Sequence, residues 1–312
     1  LHSNRMEIIK CHGSGNDFIM VDITREQLPQ DYNWTAFTRA IADRCEGVGS
    51  DGVLLLVRHG DGVYGMDMLN PDGTHAEMCG NGIRCVTRLA LERGYLTSGI
   101  LRSGGRDYRV AAADPVVDGI PAYSVDIPIR LHSNDFAFFD PSQRFVGEPI
   151  EELDSDLRFT ALNLGNPHIV ALVEEIDMEL LEQLGSRVLK LKHLFPNGVN
   201  ISLYKPLEGG GIFVATYERG AGITLSCGTA MTASATAAAL LGVVDSGKRT
   251  EVRNRGGRVF CTTQLEPEIV TRLEGNATYE WIGEAKFENW HLECRVDRVT
   301  CEQIRWLEFI DS

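Results

Sequence analysis

Short apolar runs alternate with glycine-rich turns at the start of the chain, a pattern that predicts strands joined by tight turns. Residues 6–23, "MEIIKCHGSGNDFIMVDI", predict a strand, a glycine turn and a second strand. Apolar side chains then recur at helical spacing over residues 34–45, at Trp34, Phe37, Ile41 and Cys45. The turn "GVGSDG" leads into the continuous apolar run "VLLLV", which predicts a buried strand.

Residues 65–94, "GMDMLNPDGTHAEMCGNGIRCVTRLALERG", change from strand spacing to helix spacing. They predict a strand, a Pro-Asp-Gly turn and a helix over about residues 80–93. Ile83, Val86, Thr87 and Ala90 share one face of this helix. Gly94 is suited to close it as a C-cap, and Cys79 stands immediately before it.

The second half of the chain repeats these ingredients in the same order. Gly165-Asn166 follows Gly15-Asn16 by 150 residues, Val199-Asn200 follows Val48-Gly49 by 151, and Cys227-Gly228-Thr229 follows Cys79-Gly80-Asn81 by 148. Glu218 and Asn70 each stand nine residues before their cysteine. Such constant spacing indicates an internal duplication of about 150 residues. Chance matching of short pairs is the alternative, but it does not explain the shared order of strands and helices.

The length of 312 residues also favours two domains, because single domains usually contain roughly 100 to 200 residues. A segment rich in Pro and Asp places the boundary near residues 125–130. We therefore expect an N-terminal domain over 1–127, which carries Cys79, and a C-terminal domain over 128–279, which carries Cys227. The remaining segment, about 280–312, can pack back onto the first domain. From about residue 288 its weak alternation is compatible with strand or helix.

The charge balance excludes some classes of partner. Acidic residues outnumber basic ones by 44 to 30, giving a net charge of −14 and no large positive field for nucleic acid. No run approaches the roughly 20 apolar residues that span a bilayer, and no secretory apolar region opens the chain. We therefore expect a cytoplasmic protein without a nucleic-acid or membrane partner. Residues 1–5, before Met6, show no pattern.

The eight cysteines are scattered and do not resemble a small disulfide scaffold. The closest pairs, Cys79 with Cys85 and Cys294 with Cys301, are too far apart in sequence for the CxxC clip of a structural zinc site. No metal is expected, and most of the cysteines are expected to be small buried hydrophobic residues.

Residues 226–242, "SCGTAMTASATAAALLG", predict a second helix of small side chains. Cys79 and Cys227 differ from the other cysteines because each precedes a predicted helix. Unpaired N–H groups at a helix N-terminus favour a thiolate and can bind a carboxylate. A lone cysteine in such a place is usually structural, but two equivalent cysteines in a duplicated chain favour chemistry. A thiolate on one face of a carbon and a thiol on the other can invert that carbon without a cofactor. The N–H groups would hold the charge that develops on the substrate carboxylate.

Other polar residues could complete such a site. Glu218 and Arg219, in "YERG", stand at a predicted strand end, where they could receive an ammonium and a carboxylate or form a surface ion pair of little energetic value. His168 could tune a nearby thiol or be a buried structural histidine. Asn16, Asn70, Asn166 and Asn200 are assigned to turns, where asparagine is common for backbone reasons.

The motifs "HGSGNDF", "GVGSDG", "NPDGTHAEMCGNGIRC", "LGNPH", "NGVN" and "YERGAGITLSCGT" resemble those of the diaminopimelate epimerases. These enzymes are cofactor-independent, two-cysteine amino-acid racemases. The resemblance implies two pseudo-symmetric α/β domains, each a mixed sheet curled around a central helix, with the active site in the interdomain cleft. It also implies interconversion of LL- and meso-2,6-diaminopimelate, a step toward lysine and cell-wall precursors. Family members are commonly homodimers.

The resemblance also implies a role for each matching position. Cys79 and Cys227 would be the base and acid pair, and His168 and Glu218 would influence the thiols. The substrate would be bound at its reacting end by Gly80, Asn81, Gly228 and Thr229, along the pocket by Asn16 and Asn166, and at its distal end by Asn70, Asn200, Glu218 and Arg219.

Three positions depart from the family pattern. Ala230 and Met231 replace the usual glycine and small residue after the second cysteine motif, and Gly52 stands where some relatives carry glutamine. The tail after about 288 also lies beyond the usual pattern. A racemase of another amino acid, such as histidine, is therefore the alternative, followed by a non-catalytic binding module. The distal group of Asn70, Asn200, Glu218 and Arg219 favours diaminopimelate.

Overall fold

A computed structural model describes residues 4–312 of the chain, which form two compact units. The first unit contains the chain up to Val125 together with Gly275–Ser312, and the second contains Asp126–Glu274. Of the patternless residues 1–5, the first three lie outside the described residues, and Arg5 already belongs to a strand.

The described part of the first unit contains eight complete strands and three helices. Its strands are β1 (Arg5–Gly13), β2 (Asn16–Asp22), β3 (Val53–Arg58), β4 (Tyr64–Leu69), β5 (Ile100–Ser103), β6 (Arg106–Ala113), β17 (Thr278–Glu288) and β18 (His291–Val299). Its helices are α1 (Trp34–Ala42), α2 (Gly80–Glu92) and α5 (Glu302–Asp311). The tail thus forms both a strand and a helix, the two possibilities that the sequence left open.

The second unit has its own strands and two helices. The strands are β8 (Glu148–Pro149), β9 (Arg158–Asn163), β10 (Pro167–Leu172), β11 (Asn200–Pro206), β12 (Ile212–Glu218), β13 (Gly222–Thr224), β14 (Thr250–Asn254) and β15 (Gly257–Gln264). The helices are α3 (Met178–Lys190) and α4 (Gly228–Leu240). Strands β7 (Ala122–Pro128) and β16 (Val270–Asn276) contain the unit boundaries.

The two units repeat one order of strand pairing. In the first, β1 pairs antiparallel with β2, β2 parallel with β3, β3 antiparallel with β4, and β4 parallel with β5. In the second, β9, β10, β11, β12 and β14 follow the same alternation. Each parallel pair needs a crossover, which α1 and α2 provide in the first unit and α3 and α4 in the second. The predicted duplication is confirmed.

A buried central helix lies against the strands of each unit. Helix α2 contacts β1 to β4 and β6, and helix α4 contacts β10, β11, β12, β14 and β15. Every residue of α4 from Gly228 to Ala239 is buried. Apart from Met231 these side chains are small, so strands can approach the helix closely, and burial on all sides is expected for a helix without a charged face. The mixed sheet curled around a central helix is therefore confirmed.

The other two long helices cover apolar clusters. Phe37 and Ile41 of α1 pack with Met6, Ile19 and Val53 of the first unit. Leu181, Leu184 and Val188 of α3 pack with Phe159 and Ile201 of the second. Complete burial of such a side chain stabilises a fold by about 1.5 to 3 kcal/mol. These clusters hold the strands whose ends carry the candidate site residues.

Helix boundaries differ from the prediction in one place. The helix expected over 34–45 ends at Ala42, because Asp43 is extended and its Oδ1 accepts hydrogen bonds from the N–H groups of Cys45 and Glu46. The helix expected over about 80–93 is confirmed, with Arg93 as C-cap and Gly94 at a φ of +73°. None of the described helices combines the length and apolar character needed to cross a bilayer.

Candidate active site

Cys79 is the N-cap of α2 in the first unit. Its backbone is extended, with φ −124° and ψ 116°, and its Sγ accepts from the N–H of Gly82 at 3.4 Å. The thiol is half-buried. Gly80, Asn81 and Gly82 form the first turn of the helix, whose N–H groups have no intrahelical acceptor. The predicted position of Cys79 at a helix mouth is confirmed.

Asn16 brings an amide to the same thiol. Its Oδ1 lies 3.6 Å from Cys79 Sγ and accepts from Asn81 Nδ2 at 3.3 Å. Its Nδ2 donates to Asp51 Oδ2 at 2.7 Å. A carboxylate only accepts, so Asp51 orients the amide with its oxygen toward the sulfur. Asn16 is the first residue of β2, directly after a two-residue turn, rather than within the turn.

A charged network supports this end of β2. Arg44 forms ion pairs with Asp17 at 2.7 Å and Asp51 at 2.9 Å, and Lys10 binds Asp17 at 2.6 Å. Burial raises the pKa of Asp17, but hydrogen bonds from Arg44 and Lys10 outweigh it and hold that pKa well below its usual range. Asp17 therefore stays ionised, which keeps both cations beside the strand.

A buried guanidinium holds the start of α2. Arg84 donates to Gly80 O at 2.9 Å, Asn81 Oδ1 at 3.0 Å and Ser14 Oγ at 3.1 Å. The backbone of Gly13 passes so close that a Cβ there would lie 2.8 Å from Arg84 Nη2. Glycine is therefore required at residue 13 for the guanidinium to reach Ser14.

Cys227 occupies the equivalent place in the second unit, as the N-cap of α4, with φ −133° and ψ 108°. It is buried, and its Sγ lies 3.5 Å from the hydroxyl of Thr229. Gly228 and Thr229 form the first turn of α4. The second predicted helix mouth is therefore also confirmed.

His168 and Asn166 complete the surroundings of Thr229. His168 Nε2 lies 3.0 Å from Asn166 Oδ1 and 3.2 Å from Thr229 Oγ1, and Asn166 Nδ2 donates to Thr229 Oγ1 at 3.2 Å. Burial, assisted by the positive charge of Arg219, lowers the pKa of His168 to about 3. The imidazole is therefore neutral at physiological pH.

The proton of this imidazole can be assigned. Nδ1 of His168 is buried and has no hydrogen-bond partner within residues 4–312. A buried N–H without an acceptor costs more than an unused ring lone pair, so Nε2 carries the proton and donates to Asn166 Oδ1. Asn166 then donates to Thr229 Oγ1, which leaves the Thr229 proton directed to Cys227 Sγ. His168, Asn166 and Thr229 therefore form a series of hydrogen bonds that ends in a donor to Cys227 Sγ.

The other predicted site residues of the second unit lie on neighbouring strands. His168 on β10 is directly beside Asn200, the first residue of β11 rather than a turn residue. Asn200 Oδ1 accepts from the backbone N–H of Arg219 at 2.9 Å. Glu218 is the last residue of β12, which confirms its predicted place at a strand end, and Arg219 Nη1 donates to Asn197 O at 2.6 Å.

Asn70 lies in a turn after β4, as predicted. Its side chain donates to Thr74 Oγ1 at 3.1 Å, and its backbone N–H donates to Thr74 O at 2.8 Å. Both of these contacts hold the Pro-Asp-Gly turn, and neither involves Asn16 or the thiol of Cys79. In the first unit, Cys79, Gly80, Asn81 and Asn16 form one group, from which the Asn70 contacts are separate.

Sequence reasoning missed Asp51 and Arg84. Asp51 lies in the motif "GVGSDG", where only its glycines attracted attention, and Arg84 is a charge among apolar helix residues. A charge at a buried helical position could have been noticed, since such groups require partners. Within the described part of the chain, no group of three or more His, Cys, Asp or Glu side chains could hold a metal ion.

The departures from the family motifs fit this structure. Ala230 and Met231 are buried, and Met231 Sδ lies 3.0 Å from Asn254 Nδ2. A Cβ at Gly52 would come within 2.5 Å of Leu69 O, so this backbone excludes any side chain at residue 52. The glutamine of some relatives therefore has no equivalent here.

Comparison with known proteins gives a consistent family. The family model described as diaminopimelate epimerase matches residues 8–104 and 160–280. The diaminopimelate epimerase of Ligilactobacillus salivarius is 36% identical over 292 residues, covering 88% of each chain. That of Clostridium acetobutylicum is 33% identical over 288 residues, covering 90% of this chain and 84% of the relative.

The tail is shared with at least one relative. The diaminopimelate epimerase of Listeria welshimeri serovar 6b is 32% identical over 313 residues, covering 97% of this chain and 95% of the relative. The part of this chain outside that alignment is shorter than the segment after residue 288, so the alignment includes most of this segment. The tail thus has a counterpart in this relative, whereas the family model ends at residue 280.

Solved structures show the same fold at low sequence identity. A hydroxyproline epimerase from Agrobacterium vitis, with bound trans-4-hydroxy-L-proline, matches with a TM-score of 0.60 and 16% identity over 94% of this chain and 92% of that chain. A phenazine biosynthesis protein of the PhzF family from Bacillus anthracis matches with a TM-score of 0.61 and 16% identity over 90% and 98%. The expected two-domain α/β fold is confirmed. By its family model and its relatives, the chain belongs to the diaminopimelate epimerase family, a family of isomerases.

Proposed function

We propose that this protein interconverts LL- and meso-2,6-diaminopimelate, for the synthesis of lysine and peptidoglycan precursors. The observation that carries the proposal is the repetition of one device: each half of a duplicated chain starts its buried central helix with a cysteine N-cap. Family membership favours diaminopimelate as the substrate.

The chemistry needs two proton positions and no net oxidation. The thiolate of one cysteine removes the α-proton, so that the C–H bond breaks and an S–H bond forms. The thiol of the other cysteine then gives its proton to the opposite face of the same carbon, so that its S–H bond breaks. The roles exchange in the reverse direction. The proposal requires both thiols to reach the α-carbon of the bound substrate.

The N-termini of α2 and α4 have N–H groups that can stabilise the charge that develops on the substrate. As the proton leaves, negative charge spreads onto the α-carboxylate. The first-turn N–H groups at Gly80, Asn81, Gly228 and Thr229 can donate to that carboxylate, assisted by the helix dipoles. Asn16 and Asn166, which already contact Cys79 and Thr229, line the same positions.

The donor series in the second unit suits a thiolate at Cys227. Neutral His168 directs the Asn166 amide, and Asn166 leaves the Thr229 proton for the sulfur. A hydrogen bond to the charged form of a group favours that form. His168 therefore acts through the orientation of Thr229 rather than as a base.

The distal end of the substrate is assigned to Glu218, Arg219, Asn200 and Asn70. Asn200 fixes the backbone of Arg219, and Asn197 holds its guanidinium. A carboxylate and a guanidinium at adjacent positions suit an ammonium and a carboxylate, which is the second amino-acid group of diaminopimelate. Simple amino acids lack this second group.

Deuterium exchange provides the test. The purified protein is incubated in D₂O with LL-diaminopimelate, and separately with histidine, proline and glutamate, and α-deuterium is measured by mass spectrometry. We expect incorporation into diaminopimelate and its conversion to the meso form. Exchange confined to another amino acid would assign a different racemase, and exchange in none would leave a binding role. A protein with both Cys79 and Cys227 replaced by serine controls for spontaneous exchange.

A further inference from the structure

The helix α5 is fixed to the first unit by an ion pair and a buried ring. Glu302 binds Arg88 through two hydrogen bonds, at 2.6 and 3.0 Å, and also accepts from the N–H of Tyr279 at 3.2 Å. Trp306 is 1% exposed, and its ring centroid lies 5.2 Å from that of His12. The tail therefore has a defined place beside the motif "HGSGNDF".

Gln303 reaches a residue of that motif directly. Its Oε1 lies 2.7 Å from His12 Nε2, and His12 is 2% exposed. On the other side of the ring, His12 Nδ1 accepts from the backbone N–H of Gly15 at 3.1 Å. Because the Oε1 of Gln303 can only accept, Nε2 carries the ring proton and Nδ1 keeps its lone pair. The same tautomer of neutral His12 thus makes both hydrogen bonds, to Gln303 through Nε2 and from Gly15 through Nδ1.

The bond from Gly15 to His12 helps to hold the turn before Asn16, together with the bond from the Ser14 N–H to Asn276 Oδ1 at 3.0 Å. Ser14 and Gly15 have φ values of +52° and +80° and form the two-residue turn between Gly13 and Asn16. Asn16 follows this turn, and its Oδ1 lies 3.6 Å from Cys79 Sγ. A continuous path of contacts thus joins α5 to the thiol, through Gln303, His12, Gly15 and Asn16.

We propose that Gln303 is a positioning residue for Cys79: it sets the tautomer of His12, which holds the Gly15 turn and places the Asn16 amide at the thiol. The catalytic consequence rests on the function proposed above. The inference itself concerns the environment of Cys79 and can be measured without substrate.

Burial keeps the imidazole of His12 neutral by lowering its pKa to about 4. The hydrogen bond that Gln303 on α5 accepts and the charge of Asp17 on β2 oppose this shift, while the charges of Arg84 on α2 and Lys10 on β1 lower the pKa further. A second proton on the ring would occupy Nδ1 and break the bond from Gly15. Any change that raises the pKa of His12 should therefore make the activity more sensitive to acid.

Two substitutions of Gln303 separate positioning from packing. Gln303→Met keeps the length of the side chain and removes the acceptor, so we expect kcat to fall on the order of tenfold to a hundredfold with little change in KM. Gln303→Glu keeps the acceptor but adds a charge that raises the pKa of His12. Its kcat should approach that of the unchanged protein above neutral pH, with the acidic limb of the profile moved to higher pH. Ile304→Ala, at an adjacent residue that is 60% exposed, is the matched control.

Alkylation of Cys79 by iodoacetamide, followed by peptide mass spectrometry, gives a second measurement. Without the Asn16 acceptor, the S–H form of Cys79 is less favoured, so alkylation should be several-fold faster in Gln303→Met than in the Ile304→Ala control. An equal or slower rate would overturn the inference, as would an unmoved acidic limb in Gln303→Glu. If the unchanged protein does not epimerise diaminopimelate but alkylation still responds, the proposed function fails and the positioning role stands. Should Gln303→Met not fold, the acidic limb of Gln303→Glu decides.

Discussion

The carboxylate of Asp51 lies 2.7 Å from the amide nitrogen of Asn16 and fixes which end of that amide faces Cys79. With the amide reversed, an NH₂ group would point at the sulfur, and an oxygen would point at a carboxylate. Asp51 therefore selects the acceptor end for the thiol, although it is itself about half exposed. A residue outside the cysteine motifs thus shapes the surroundings of one of the two proposed catalytic thiols.

Replacement of Asp51 should impair turnover more than folding. In Asp51→Leu the Asn16 amide loses its fixed orientation, and we expect kcat to fall about tenfold, since a lost charge-assisted hydrogen bond corresponds to roughly 1.5 to 3 kcal/mol. Arg44→Met is the control, because it removes the ion pairs of Arg44 with Asp51 and Asp17 but keeps the bond from Asn16 to Asp51. Steady-state kinetics of the two variants check the prediction, and equal losses of kcat would contradict it.

Each of the two proposed catalytic thiols should be indispensable. Cys79→Ser and Cys227→Ser each replace one half of the proton relay by a hydroxyl that is a far weaker acid, so epimerisation should fall by at least about a thousandfold. Cys45→Ser, which alters an exposed cysteine, should remain fully active. Near-normal turnover in either of the first two variants would refute a two-thiol mechanism.

The cysteines at the helix N-termini and the residues that surround them differ in how far the sequence could predict them. The two helix mouths are local: a cysteine, a glycine and the helical spacing after them were enough to place α2 and α4. The partners of those mouths come from elsewhere in the chain. Asp51 meets Asn16 across 35 residues, and Gln303 meets His12 across 291. No periodicity encodes such pairs, because they depend on which strands become neighbours.

Strand order explains the remaining misses. Strand β17 pairs with the free side of β1, which brings the tail beside the first motif. Sequence spacing left strand and helix as alternatives for the tail, since its alternation is weak. The early end of α1 has a local cause, the side chain of Asp43, which competes for the backbone N–H groups that follow it.

The buried imidazole of His168 should make stability depend on pH. Its pKa is lowered from 6.5 in the unfolded chain to about 3 in the folded protein, so the unfolded state binds a proton first as the pH falls. The free energy of unfolding should therefore decrease between about pH 6.5 and pH 3, by up to about 1.4 kcal/mol per pH unit for this residue.

Urea denaturation at intervals between pH 4 and pH 7 measures that slope. His168→Gln should reduce it, whereas His291→Gln should not, because the side chain of His291 is 75% exposed. Equal slopes in the His168→Gln variant and the unchanged protein would show that the imidazole is not held neutral in the folded state.

Arg219 should discriminate between substrates by their distal group. In Arg219→Ala we expect KM for diaminopimelate to rise on the order of tenfold to a hundredfold, since a buried or partly buried carboxylate loses its charged donor. Lys205→Ala, which removes the half-buried partner of the exposed Glu175, is the control. A matching rise of KM for an amino acid with no second carboxylate would contradict a distal role and point to another substrate.

Thr229 provides the sharpest test of the series from His168 to Cys227, because a second buried threonine on α4, Thr232, serves as the control. Thr229→Val removes the hydroxyl 3.5 Å from Cys227 Sγ and keeps the shape of the side chain, so the thiolate loses a donor and its pKa should rise. The limb of the kcat/KM profile that reports Cys227 should move to higher pH. Thr232→Val removes another buried hydroxyl one turn later, which donates only to Gly228 O at 2.8 Å. Thr229→Val also removes the acceptor of Asn166 Nδ2 and should therefore cost more stability than Thr232→Val, but only Thr229→Val should move the profile. Identical profiles in the two variants would mean that the Thr229 proton does not serve the thiol.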